Sequence, residues 1–131
     1  MLFDAVVTAR SLLMATLFDT SVWIRHFRSP EPELMSALEE DTVFIHEAVI
    51  GELAAGRIPK PKSTINDLSR LPFAPAVPFK ELLDLIMKRD LISKGLSWVD
   101  VQLIGSCLAG DLDLSTYDLK LAAAWKTIRR R

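Results

Sequence analysis

Cysteine is almost absent from this sequence, which has 131 residues and a single one, Cys107. One cysteine cannot form an intramolecular disulfide, so a small secreted domain held together by disulfides is excluded and a reducing compartment is favoured. Long apolar runs are also missing, because the longest stretch without a charged residue spans only residues 101–110. A transmembrane helix needs about 20 mostly apolar residues. The sequence therefore predicts no membrane span.

No charge of either sign dominates the chain. Sixteen Lys and Arg residues face 17 Asp and Glu residues, for a net charge of −1, so overall charge does not indicate a nucleic-acid-binding protein. The first fifteen residues are fairly apolar, but Asp4 precedes the apolar stretch and Arg10 interrupts it. No small-x-small cleavage site follows, so we expect a cytoplasmic protein without a secretory signal.

Hydrophobic residues make up 50% of the chain, enough for one compact domain with its own core. Short β-prone runs alternate with longer helical patterns, which is typical of an α/β fold with a parallel sheet. Strands are predicted at 15–18, 42–45 and 112–116, with an extended piece at 73–77. Helices are predicted at 20–28, 31–40, 46–55, 63–71, 79–92, 97–109 and 118–128.

Two carboxylates lie where this pattern favours an apolar or buried side chain. Asp19 directly follows the first strand, at the carboxyl end where open parallel sheets place their ligands. It is equally well placed to cap the next helix. Glu52 shares a helical face with small and apolar residues, so we expect it to point inward unless the helical phase is displaced by a turn.

Two further acids lie at predicted helix starts. Asp100 is the first member of an apolar stripe that continues at Leu103 and Ile104, whereas Ser97 and Asp100 also fit a capping box. Asp118 has the same alternative, because Ser115 and Asp118 fit that box too. Taken alone, each of these two aspartates is explained at least as well by capping.

The four acids share a position, since each lies at a strand carboxyl end or in a helix turn that packs against one. Independent caps have no reason to converge, and converging carboxylates repel one another unless a divalent cation neutralises them. Oxygen ligands select a hard ion, so Mg²⁺ or Mn²⁺ is implied. Zinc is disfavoured, because Cys107 and the two histidines have no ligand spacing.

Four segments in this order resemble the PIN-domain family, and more narrowly its VapC-type toxins of toxin–antitoxin modules. They are Leu-Phe-Asp-Thr-Ser-Val-Trp-Ile at 17–24, Val-Ile-Gly-Glu-Leu-Ala-Ala-Gly at 49–56, Gly-Leu-Ser-Trp-Val-Asp at 95–100 and Thr-Tyr-Asp at 116–118. The resemblance covers residues 14–126. It implies a three-layer fold with a central parallel sheet of about four or five strands flanked by helices.

The resemblance also implies an activity and partners. It implies a metal-dependent endoribonuclease with catalytic acids matching at Asp19, Glu52, Asp100 and Asp118 and a hydroxyl neighbour matching at Thr116. Asp19 and Asp100 are our choice for direct ligands of Mg²⁺, with Glu52 and Asp118 completing the shell. The implied partners are the RNA substrate, a VapB-type antitoxin and a second copy of the chain in a homodimer. The alternative is a catalytically silent PIN-like module that binds RNA or protein.

The chain start departs from the family pattern. Thirteen residues precede Met14, where family members usually have only a few before the first strand. We therefore expect residues 1–13 to be a dispensable extension and residues 14–131 to form the PIN-like domain. Trp23 and Phe27 on one predicted helix, with Leu34 and Leu38 on the next, are predicted to form a groove for a partner helix, although at least two of the four are expected in the core.

Overall fold

A parallel sheet of three strands lies at the centre of the computed structural model, which describes residues 14–129. The strands are β1 (Thr16–Phe18), β2 (Val43–Phe44) and β3 (Asp113–Ser115), in the spatial order β2-β1-β3. β1 pairs in parallel with both neighbours, and its last residue, Phe18, is opposite Ser115. The carboxyl ends of β1 and β3 therefore lie side by side. The expected 1–13 extension lies outside the described residues.

Seven helices connect and flank these strands in the described part of the chain. They are α1 (Thr20–Arg28), α2 (Pro32–Glu39), α3 (Glu47–Ala55), α4 (Pro61–Leu68), α5 (Phe79–Lys88), α6 (Trp98–Gly110) and α7 (Leu119–Arg129). None of these helices has the length and apolar content that a membrane crossing requires.

The predicted class, an α/β fold with a parallel sheet flanked by helices, is confirmed, but the expected four or five strands are not found among residues 14–129. The extended piece at 73–77 makes one isolated bridge, between Phe73 and Ile45. Pro72 and Pro78 flank it, and Pro75 lies within it. Proline has no backbone N–H to donate to a neighbouring strand, so this segment runs beside β2 without becoming a fourth strand.

The core forms around β1, whose Leu17 and Phe18 are almost completely buried. Val49 and Leu53 reach it from α3, and the apolar stripe of α6 packs from Val101 to Cys107. The helices thus bury apolar side chains against the central sheet.

The fourth helix begins earlier than the sequence pattern predicts. We expected 57–62 to be loop with a cap at Ser63 or Thr64, but α4 already starts at Pro61. Proline is well tolerated at the first helical position, where its missing N–H has no partner in any case. Lys60 precedes it in the left-handed region, and the hydroxyls of Ser63 and Thr64 donate to backbone carbonyls instead of capping.

His46 caps α3 and makes stability depend on pH. Its Nδ1 accepts a hydrogen bond from Ala48 N at 2.9 Å, so the ring must be neutral at that nitrogen. Burial lowers the pKa of His46 below 6.5, against a smaller opposing effect of Glu47. As pH falls below 6.5, His46 therefore binds a proton in the unfolded chain more readily than in the native chain. The stability that the neutral ring contributes is present above pH 6.5 and is lost as pH falls below it.

The His46→Asn variant tests this dependence. Asn keeps a capping oxygen but does not titrate, so the unfolding free energy of the variant should fall less than that of the parent between about pH 8 and pH 5. Urea unfolding across this range provides the measurement. His26→Asn is the matched control and should retain the contribution of His46. Equal pH slopes for the parent and His46→Asn would contradict the expectation.

Candidate active site

Asp19 lies at the carboxyl end of β1 and is only 8% exposed. Its backbone N donates to Ser115 O at 2.9 Å, which continues the β1–β3 pairing by one residue. Its side chain caps α1, with Oδ1 accepting from Ser21 N at 2.8 Å. Oδ2 accepts from two hydroxyls, Ser21 Oγ at 3.1 Å and Thr116 Oγ1. The capping alternative for Asp19 is therefore correct, and it coexists with a position at the sheet edge.

Thr116 and Asp118 follow β3 and join the same edge. Thr116 Oγ1 donates to Asp19 and accepts from Asp118 N at 3.0 Å, so one hydroxyl connects the ends of the two strands. Asp118 Oδ1 in turn accepts from Lys120 N and Leu121 N at 2.9 and 3.1 Å, which caps α7.

The capping box predicted between Ser115 and Asp118 is not formed. Asp118 lies directly before the first residue of α7 and is itself the N-cap. In a capping box it would be the third residue of the helix. Ser115 Oγ donates to Glu33 Oε1 at 2.7 Å instead.

Asp100 forms the capping box that the sequence suggested at the start of α6. Its Oδ2 accepts from Ser97 N at 2.9 Å, and its own N donates to Ser97 Oγ at 3.1 Å. Burial raises the pKa of Asp100 above 3.8, and the negative charges of Asp118 and Asp19 raise it further, whereas the two bonds to Ser97 oppose the rise. The charges of Asp19 and Asp118 thus act on Asp100.

Glu52 does not point inward, and that expectation is wrong: the residue is exposed on α3. Its Oε1 accepts a hydrogen bond from Thr20 Oγ1 at 2.6 Å. Thr20 is the residue next to Asp19, so Glu52 reaches the start of α1 from the solvent side.

In the described part of the chain, three of the four acids, Glu52, Asp100 and Asp118, retain a carboxylate oxygen without a hydrogen-bond donor, whereas both oxygens of Asp19 accept hydrogen bonds. Among the described residues, no hydrogen-bond donor contacts Oδ1 of Asp100, Oδ2 of Asp118 or Oε2 of Glu52. A carboxylate has two oxygens, so capping with one leaves the other available to a cation. As placed in residues 14–129, however, no three Asp, Glu, His or Cys side chains close around a common point. The donor set therefore fits a hard cation in its chemistry, with side chains that need to turn toward it.

Sequence reasoning named Thr116 but missed Ser21, the second residue whose hydroxyl donates to Asp19. Ser21 Oγ donates to Asp19, accepts from Tyr117 N at 3.0 Å and lies 3.4 Å from Thr116 Oγ1. Two hydroxyl residues directly after an aspartate at a strand end were the available indication. The spacing alone did not reveal that Ser21 also reaches the segment after β3.

Two basic side chains, Arg25 and Lys120, flank this edge. The Arg25 guanidinium lies 4.1 Å from the centre of the Tyr117 ring, and the Lys120 side chain lies against Gly95. Arg57, Lys60 and Lys62 are exposed around the start of α4, and no contact in the described chain brings them to the acids.

Comparison with known proteins places this arrangement in a family. The chain belongs to the PIN domain family, whose model matches residues 16–126. Within that family it is similar to Ribonuclease VapC32 of Mycobacterium tuberculosis, in the strains CDC 1551 / Oshkosh and ATCC 25618 / H37Rv. Each is 40% identical over 109 residues, which cover 82% of this chain and 88% of the relative. The resemblance to VapC-type PIN proteins is thereby confirmed.

Proposed function

We propose that the chain is a Mg²⁺-dependent endoribonuclease, the toxin of a toxin–antitoxin module, which hydrolyses RNA phosphodiester bonds. The proposal rests on Asp19 and Asp118, which lie at the ends of β1 and β3 and are connected by Thr116, and on the effect of their charges on Asp100 at the start of α6. The 40% identity to a protein named as a ribonuclease supports the same activity.

The residues have distinct roles in this proposal. Asp19 and Asp100 hold the ion, and Glu52 and Asp118 complete its shell directly or through water. Bound Mg²⁺, or Mn²⁺ in its place, supplies an acidified water and neutralises charge on the phosphodiester. Thr116 fixes the orientation of the Asp19 carboxylate through its hydrogen bond, so its role is positioning.

Two hydroxyls keep Asp19 suited to this role. Ser21 and Thr116 both donate to its Oδ2 and fix the orientation of this buried carboxylate. At Asp100, burial and two neighbouring negative charges oppose ionisation. A cation at this edge removes that opposition.

A catalytically silent PIN-like binding module is the second candidate. It is favoured by the caps themselves, since Asp19, Asp100 and Asp118 each stabilise a helix start without any ion.

Cleavage of RNA by the purified chain separates the two. The endoribonuclease should cut single-stranded RNA with Mg²⁺ and stop in EDTA, and Mg²⁺ should raise its unfolding temperature, because a ligand that binds only the native state stabilises it. Binding of RNA without cleavage under both conditions would support the silent module instead.

We also propose that an antitoxin binds the surface between α1, α2 and α4. A cavity of about 430 Å³ opens there, with Trp23 and Phe27 from α1, Leu38 from α2, and Leu68 and Leu71 from α4 or just after it among its lining residues. Trp23 and Leu34 are buried in the core, whereas Phe27 and Leu38 are half-buried and reachable. An amphipathic helix is the partner that such an apolar groove accepts.

Phe27→Ala tests this groove. The variant should bind the antitoxin, taken as the product of the neighbouring gene, about 10-fold to 100-fold more weakly, since it removes an aromatic anchor. Met35→Ala is the matched control, because Met35 is an exposed apolar residue of α2 outside the cavity. Isothermal titration gives both affinities, with circular dichroism as the check on folding. Equal affinities for the two variants would reject the groove.

A homodimer in the cytoplasm completes the proposal. Phe79, Leu83 and Met87 form an exposed apolar stripe along α5, and the Phe79 ring packs on exposed Trp98 at 5.5 Å. Contiguous exposed apolar side chains mark an association surface, and we propose this one for the second copy.

A further inference from the structure

A cavity lies next to the segment that carries Asp118 and is not lined by the four acids. It has a volume of about 500 Å³ and opens between α7 and the segment after α5. Sites for small ligands measure about 300–1,000 Å³, so the space suffices for one nucleotide. Its lining begins at Leu119 and Lys120, immediately after Asp118.

The cavity combines an apolar floor with a basic rim. Leu91, Ala124 and Ile128 form part of the floor. Arg89, Lys94 and Lys120 provide three positive charges around it, against the single negative charge of Asp90. A nucleotide is complementary to this lining, because its base has an apolar face for the floor and its phosphate is an anion for the basic rim.

Lys120 connects the cavity to the acids. Its backbone N donates to Asp118 Oδ1, and its side chain lies across Gly95, two residues before the Ser97 cap of Asp100. Gly95 has φ +76°, and a Cβ there would lie 2.7 Å from Lys120 Cδ, so a larger residue would displace the lysine. The Lys120 side chain therefore lies at the boundary between the two sites.

From this geometry we infer that the cavity binds one nucleotide of the RNA next to the cleaved phosphate, with its base on the apolar floor and its phosphate at Lys94 and Lys120. The inference rests on the proposed ribonuclease function and adds a subsite to it. The charge complementarity favours RNA over a protein partner.

Binding of a fluorescein-labelled single-stranded RNA, measured by anisotropy in EDTA, tests the subsite without requiring cleavage. Ala123→Leu fills the cavity from an exposed helical position and should weaken binding about tenfold, as loss of a base contact does. Lys94→Ala should lower the salt dependence of binding by about one unit of slope. Lys126→Ala is the control, since it removes a lysine of α7 outside the cavity and should leave RNA affinity close to that of the parent.

Each outcome distinguishes the subsite from the nuclease. RNA affinities of Ala123→Leu and Lys94→Ala equal to that of the control would overturn the subsite, even if the parent cleaves RNA. Weaker antitoxin binding by these variants with unchanged RNA binding would overturn it too and assign the cavity to a protein. A parent that fails to cleave RNA with Mg²⁺ counts against the proposed nuclease, whatever the anisotropy shows.

Discussion

Replacing Asp19 by Asn is expected to reduce RNA cleavage at least about 100-fold while leaving the fold intact. Asn caps a helix almost as well as Asp, so α1 should keep its start and the loss of stability should be small. The same substitution removes the buried negative charge that the Ser21 and Thr116 hydroxyls surround, and with it the main attraction for a divalent cation.

Two measurements on this variant separate its capping role from its role toward the ion. RNA cleavage should be lost, and the increase in unfolding temperature that Mg²⁺ gives the parent should disappear with it. Asp84→Asn is the matched control, because it removes an exposed carboxylate on α5 and should behave as the parent. An Asp19→Asn variant that still cuts RNA and still gains the full Mg²⁺ stabilisation would show that Asp19 is only a cap.

The Asp100→Asn variant is expected to move activity and stability in opposite directions. Cleavage should fall about 100-fold or more through loss of a ligand. Without Mg²⁺ the unfolding free energy should rise, because burial and the charges of Asp118 and Asp19 oppose ionisation of Asp100. Asn keeps an oxygen for Ser97 N, and solvent screening at this half-buried position limits the gain to less than about 1 kcal/mol.

The change of stability with pH provides an independent test of Asp100. Its raised native pKa means that the native chain holds a proton which the unfolded chain releases above pH 3.8. The contribution of Asp100 to stability therefore falls as pH rises from 3.8 through the native pKa, and Asp100→Asn should lack this fall. Urea unfolding in EDTA at several acidic pH values provides the comparison. A variant that is less stable than the parent at neutral pH without Mg²⁺ would contradict the repulsion.

Sequence reasoning found the elements that begin or end at chemically distinctive residues. Asp19 after an apolar strand, Gly56 after α3 and Ser97 before α6 each fix a boundary through local backbone chemistry, and the structure has those boundaries. Helix ends without such residues were less predictable. The helix predicted at 79–92 ends at Lys88. Asp90 then has a positive φ, which is incompatible with a continuing helix and which an aspartate in the sequence does not predict.

The candidate site was predictable in position and less so in detail. The parallel order of β1 and β3 follows from the α/β pattern, and it brings Asp19 and Thr116 together. The outward position of Glu52 depends on the rotation of α3 over α1, which is a matter of tertiary packing. The links from Ser21 to the segment after β3 depend on side-chain rotamers, which spacing along the chain does not specify.

The helix caps of Asp19, Asp100 and Asp118 also determine at which stage the repulsion between carboxylates is overcome. Backbone N–H groups at three helix starts hold these carboxylates before any ion arrives, so the free-energy cost of gathering like charges is met during folding. In the proposed metal site, an arriving divalent ion would therefore order little additional chain, and the remaining rearrangement would be rotation of these side chains toward it.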